Sequence, residues 1–183
     1  MLFPLLLFFV TICVVTDLRE RKIYNKVILA GLVVALIANI VLYGFLSAMM
    51  LVFSGMFTGI ILLIVPFLLG GLGAGDVKML GMIGAFTGTT MTVHIFFASA
   101  LVGGIFALFT LLKEGRFRMR MQQMSKAFYC AVFARNSFYL EGLHERTVTV
   151  RAIPYGVALA AGVLIIYIMG SMDYMLPGLS AAM

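Results

Sequence analysis

Long apolar runs separated by short polar islands organise this chain. Residues 1–16 are almost wholly apolar. As a helix they cover about 24 Å, short of a hydrocarbon core of roughly 30 Å. The pattern therefore predicts a helix that runs on through Asp17 and leaves that carboxylate at or just under the headgroups. No basic segment precedes the run and no small-residue cleavage site follows it, so it reads as a span rather than a cleaved signal peptide. The first polar island is DLRERKIYNK, residues 17–26. Residues 27–43 predict a second span with Gly44 as the turn, and residues 45–69 a third. The stretch GGLGAGD, residues 70–76, is too glycine-rich for ordinary helix. Residues 77–90 predict a short fourth span and residues 91–112 a fifth. Within the long polar segment 113–151, Phe117, Met121, Met124 and Phe128 share one helical face, and Arg116, Arg120 and Gln123 lie away from it. That predicts an amphipathic helix lying in the membrane interface. Residues 152–170 predict a sixth span, opened by Pro154 at a first-turn position, and a short tail with Asp173 follows.

Composition sharpens this picture. Of 183 residues, 63% are hydrophobic and 11% charged, against about 25% charged in a soluble domain. Too few polar side chains remain for a water-facing surface, and too many apolar ones for disorder. Two cysteines exclude a disulfide scaffold. The chain is read as an all-α membrane protein of about six transmembrane helices, forming one polytopic domain over residues 1–183. Alternating spans put segments 17–26, 70–78 and 113–151 on one side, and these hold all 13 Lys and Arg. Basic loops face the cytoplasm, so the N-terminus is expected outside. Topology alone accounts for the net charge of +6, and no nucleic-acid partner is implied. The bilayer is the expected partner. Small residues recur at four-residue spacing (Gly55 and Gly59, Gly84 and Gly88, Ala100 and Gly104, Gly156 and Ala160), which predicts close helix packing.

Only seven acidic residues are present. Glu114, Glu141 and Glu145 fall in the long polar segment, Asp173 in the tail and Glu20 among basic neighbours, all as solvated charges. Asp17 and Asp76 differ. Each lies at the basic-side end of an apolar span, so two carboxylates from different helices can meet at one membrane depth. Taken singly, Asp17 reads as a juxtamembrane charge and Asp76 as the N-cap of the next span. As a pair they suit proton transfer. Two carboxylates about 3 Å apart share one proton, so the ionised one can draw a proton from water while the other donates to a carbonyl. This chemistry needs no metal or cofactor. Around Asp76, Gly73 and Gly75 allow another backbone to come close. Cys13 reads as packing. Cys130, His94 and His144 have no metal-ligand company, and no metal site is expected.

Asp17-Leu18-Arg19 followed by Arg21-Lys22-Ile23-Tyr24-Asn25 resembles the first aspartate motif of the type IV prepilin peptidase family, in which an Ile-Pro-Asn-like triplet follows the aspartate. Gly73-Ala74-Gly75-Asp76-Val77-Lys78 is similar to the family's Gly-x-Gly-Asp-x-Lys. Ile153-Pro154-Tyr155-Gly156 resembles the Pro-Tyr-Gly stretch that opens a late helix of its small members. The resemblance implies a membrane aspartic endopeptidase that removes a short basic leader from precursors of pilins, pseudopilins or archaellins, at the cytoplasmic face of a prokaryotic plasma membrane. It implies Asp17 and Asp76 as the catalytic pair. Gly73, Gly75, Lys78, Asn25, Pro154, Tyr155 and Gly156 are its supporting residues, with Lys78 read as a headgroup anchor. Tyr24 stands where many members have Pro. The cysteine-rich insert of the large bifunctional members is missing, which points to the short, peptidase-only Flp/Tad type. Monomer and homodimer both remain open.

Two rivals stand beside this reading. One is a presenilin-like protease, which also uses Gly-x-Gly-Asp, although Asp17 lacks a Tyr-Asp pair. The other is a small proton-coupled transporter or channel with the two aspartates as a relay.

Overall fold

A computed structural model describes residues 2–20, 22–68, 72–113 and 155–175. The expected interfacial helix over 117–128 lies outside these residues, as do Pro154, Glu114, Glu141, Glu145, Cys130 and His144. All described secondary structure is helical: α1 (Phe3–Glu20), α2 (Asn25–Tyr43), α3 (Phe45–Leu68), α4 (Ala74–Lys113) and α5 (Tyr155–Met175). Helices are what such runs must form in lipid, because each backbone N–H and C=O finds its partner within the segment. By length and composition, 3 of them can cross a membrane: Asn25–Tyr43, Phe45–Leu68 and Ala74–Phe109.

The boundaries follow local chemistry. α1 continues through Asp17, as its length required. Gly44 joins α2 to α3 with φ 81°, a value that suits a residue without Cβ. α4 begins at Ala74, inside the glycine-rich stretch rather than after it. It is also a single 40-residue element where two spans are expected from the sequence. Gly88 interrupts it with φ 76° and ψ 176°. Thr92 Oγ1 lies 3.1 Å from where a Cβ on Gly84 would stand, whereas eight residues of unbroken helix rise about 12 Å. The chain therefore reverses at Gly88, and α4 has two arms.

The first arm is the centre of the molecule. Residues 79–86 are buried without interruption, so this arm is apolar on every side and covered by its neighbours. α3 covers it through glycines. A Cβ on Gly55 would stand 2.0 Å from the Gly84 carbonyl oxygen, and one on Gly59 would stand 2.5 Å from that of Leu80. Here the expected small-residue packing is met across two helices, backbone against backbone. The second arm runs antiparallel to α5, with Gly162 against Ile95 and Ser99 and Gly103 against Tyr155 and Ala158. Gly104, expected in a packing pair, has nothing within 4 Å of its Cβ position among the described residues. α1 closes the bundle with Leu6, Val10 and Cys13 fully or almost fully buried. The outer faces of α2 and α3 expose Leu29, Val41, Phe45, Leu46, Ile61 and Leu68, apolar side chains that suit lipid.

Candidate active site

Four chain segments meet at one end of the bundle: the end of α1, the start of α2, the start of α4 and the start of α5. Asp17 comes from the last turn of α1 and Asp76 from the first turn of α4. Asp76 is held by its own loop. The Gly73 N–H donates to Asp76 Oδ2 at 3.2 Å, and the Asp76 N–H donates to the Gly73 carbonyl at 3.1 Å. Asp76 is thus the third helical residue reaching back to the cap, the acidic half of a capping box, rather than the N-cap itself. One carboxylate oxygen is fixed in this way.

Asp17 is set differently. Its Oδ2 is shut off from solvent, with the Gly156 backbone N–H within reach of the carboxylate. Gly156, in the first turn of α5, lies against it; a Cβ there would stand 3.0 Å from Oδ2. Any larger residue at 156 would push on the carboxylate. Asp17 lies within electrostatic reach of Asp76, and Asp76 within reach of Tyr155.

The link between α1 and α2 passes directly over the glycine loop. A Cβ on Gly75 would stand 3.1 Å from Ile23 Cβ, so Gly75 is what lets the link lie this close. Tyr24 OH donates to the Glu20 carboxylate and ties the link to the end of α1. That bond also holds the Tyr24 phenol above its ordinary pKa of 10.0. Lys78 Nζ donates to Asn25 Oδ1 at 2.9 Å, joining the start of α4 to the start of α2. Lys78 has a protein partner here rather than projecting free.

These segments enclose an open cleft of about 420 Å³ lined by Asp17, Lys22, Ile23, Tyr24, Asn25 and the loop from Gly73 to Asp76. Both aspartates face it. Of the supporting residues, Gly73, Gly75 and Asn25 line the cleft, Lys78 grips Asn25, and Tyr155 and Gly156 stand behind the aspartates. Pro154 lies outside the described residues. Lys22 and Ile23 were missed as cleft residues. Their signal was the shortness of the link between two apolar helices, which forces its few residues onto the cleft. His94 bonds the Thr90 carbonyl near the Gly88 reversal, at the far end of α4's arms. Among the described residues, no three His, Cys, Asp or Glu are grouped to hold a metal ion. Two carboxyl groups facing one wet cleft can take a proton from water and return it to a leaving group.

An apolar helical bundle with an acid-lined cleft at one end defines a membrane-embedded protein with a candidate hydrolytic site. The chain belongs to the type IV leader peptidase family, whose model matches residues 4–108, more than half of its length. It is therefore a peptidase of that general type. The matched region contains both aspartates. No curated protein and no solved structure matches the chain.

Proposed function

We propose that this protein is an aspartic endopeptidase that removes the short basic leader from prepilin-like precursors at the cytoplasmic face of a prokaryotic plasma membrane. The observation that carries this reading is the shared cleft: Asp17 and Asp76, 59 positions apart in the sequence, face one solvent-open space. The ionised carboxylate takes a proton from a water molecule, whose oxygen bonds to the scissile carbonyl carbon. The protonated carboxyl gives its proton to the carbonyl oxygen. When the tetrahedral intermediate collapses, the C–N bond breaks, the proton taken from water goes to the leaving amine, and one hydroxyl of the intermediate returns its proton to the second carboxylate as the product's carbonyl forms. The pair is then back to sharing one proton. A substrate with an apolar stretch after its leader would keep that stretch in lipid while the junction reaches the cleft.

The test is co-expression with Flp-type pilin, pseudopilin and archaellin precursors, followed by sequencing of the new N-termini. Asp17→Asn and Asp76→Asn run alongside, since Asn keeps the shape but cannot exchange the proton. The expected result is cleavage just before the apolar stretch by the wild type, with both variants inserted but inactive. Equal cleavage by all three would remove the two aspartates from the mechanism.

A further inference from the structure

Asn25 lines the cleft at the start of α2, Lys78 belongs to α4, and their side chains bond to each other at 2.9 Å. Lys78 lies two residues past Asp76 on α4, and Asn25 is the first residue of α2. We propose that Lys78 and Asn25 form a positioning clasp that sets the spacing between the segments carrying Asp17 and Asp76.

Three features of the fold carry this. First, α2 is pinned to α4 at two heights. Deep in the bundle, buried Asn39 reaches the Ala85 carbonyl at 3.4 Å; at the cleft, Lys78 reaches Asn25. The two asparagines are 14 positions apart, about 21 Å along a helix, so the pair of pins fixes the lean of α2 against α4. Second, Asn25 is coupled to Asp17 through a very short path. Only residues 21–24 separate α1 from α2, and Tyr24 is bonded back to Glu20, one turn beyond Asp17. A pull on Asn25 is therefore passed to the end of α1. Third, the same link carries Ile23, which rests on Gly75 beside Asp76. Two side-chain bonds in series, Glu20 to Tyr24 and Asn25 to Lys78, thus join the helix of one aspartate to the helix of the other.

An exposed bond of this kind adds little to global stability. Its leverage is geometric, because an error of about 1 Å at a reacting pair can cost around 100-fold in rate. This assignment rests on the peptidase reading above, but its test does not depend on that reading alone. The first readout is cleavage by Lys78→Met, Asn25→Ala and the double variant, using whichever precursor the wild type cuts. The clasp predicts a fall in kcat of about 10- to 100-fold for either single variant, with KM nearly unchanged. The double variant should be no worse than the singles, Lys78→Arg should recover much of the rate, and the shape of the pH–rate profile should not change. A headgroup anchor at Lys78 predicts instead that the two losses multiply. Direct tuning of Asp76 by the ammonium predicts a shifted pH profile in Lys78→Met and none in Asn25→Ala. Either result overturns the clasp.

The second readout needs no substrate. Spin labels are placed at Arg19 and Ala74, with Cys13 and Cys130 replaced. The clasp predicts a narrow distance distribution that broadens in Lys78→Met and equally in Asn25→Ala. An unchanged distribution in both would overturn it. Should the wild type cut no precursor, the peptidase reading fails while this measurement still decides the clasp.

Discussion

Replacing Gly84 by Ala tests how the centre of the bundle is held together. A Cβ at this position would stand 2.1 Å from the Gly55 carbonyl oxygen and 2.6 Å from its carbonyl carbon. Both neighbours are backbone, so no rotamer change can relieve the clash. To restore an ordinary 3.4 Å contact, α3 and the first arm of α4 must part by about 1.3 Å. A gap of even 0.5–1 Å forfeits about a quarter to a half of the dispersion energy across a contact. In lipid, little besides packing draws helices together. Overpacking of this kind costs about 1–3 kcal/mol, and two rigid backbones put Gly84→Ala at the upper end. Set against this is the intrinsic preference of a helix for Ala, which favours the substitution by about 1 kcal/mol. A net loss of about 2 kcal/mol is expected. Gly104→Ala supplies the comparison, because that position has nothing within 4 Å among the described residues and should keep the propensity gain. The assay is reversible unfolding in mixed micelles, followed by helical circular dichroism. If Gly84→Ala unfolds at the same denaturant fraction as Gly104→Ala, the two backbones do not touch as described and the reasoning fails.

Other outcomes follow from the same geometry. Gly156→Ala should lower kcat about tenfold or more with the fold intact, because its Cβ would lie 3.0 Å from Asp17 Oδ2; single-turnover cleavage in detergent measures it. Gly75→Ala should cost less, since the atom it meets at 3.1 Å belongs to the Ile23 side chain on a short link that can give slightly; the same assay ranks the two. Gly88→Ala places a Cβ on a residue at φ 76° and ψ 176°, a region kept almost wholly to glycine and costing about 1–3 kcal/mol for another residue, and should lower the unfolding midpoint accordingly. Glu20→Gln should lower the Tyr24 phenol pKa toward its ordinary value, because Glu20's charge and hydrogen bond hold it up; a tyrosine-selective NMR titration reads the shift.

Much of this molecule was legible before any coordinates. The apolar runs marked the helices, because lipid leaves the backbone no alternative. The incomplete span before Asp17 correctly required α1 to continue past it. The meeting of Asp17 and Asp76 at one end followed from counting reversals. The features that no local pattern carries depend on contacts between distant segments. Hydropathy marks two spans between residues 77 and 112 but does not show that the reversal uses one glycine at positive φ. A four-residue spacing marks Gly55 and Gly84 as packing residues without saying that they face each other, and among the described residues it is Gly103, outside that spacing, that meets α5. The bond between Asn25 and Lys78 spans 53 positions, and no local pattern predicts it. Asp76 as the third helical residue, not the cap, depended on α4 starting within the glycine loop.

The depth of the cleft has a consequence for the membrane itself. Cys13, one turn below Asp17, and Leu80, one turn beyond Asp76, are both fully buried. Four residues of helix rise about 6 Å, so the wet part of the protein ends within a single turn of the aspartates. A bilayer that stores an ion gradient can carry such a cleft without springing a leak. Among the described residues the floor of the cleft is apolar and closed, a barrier to ions as much as to water.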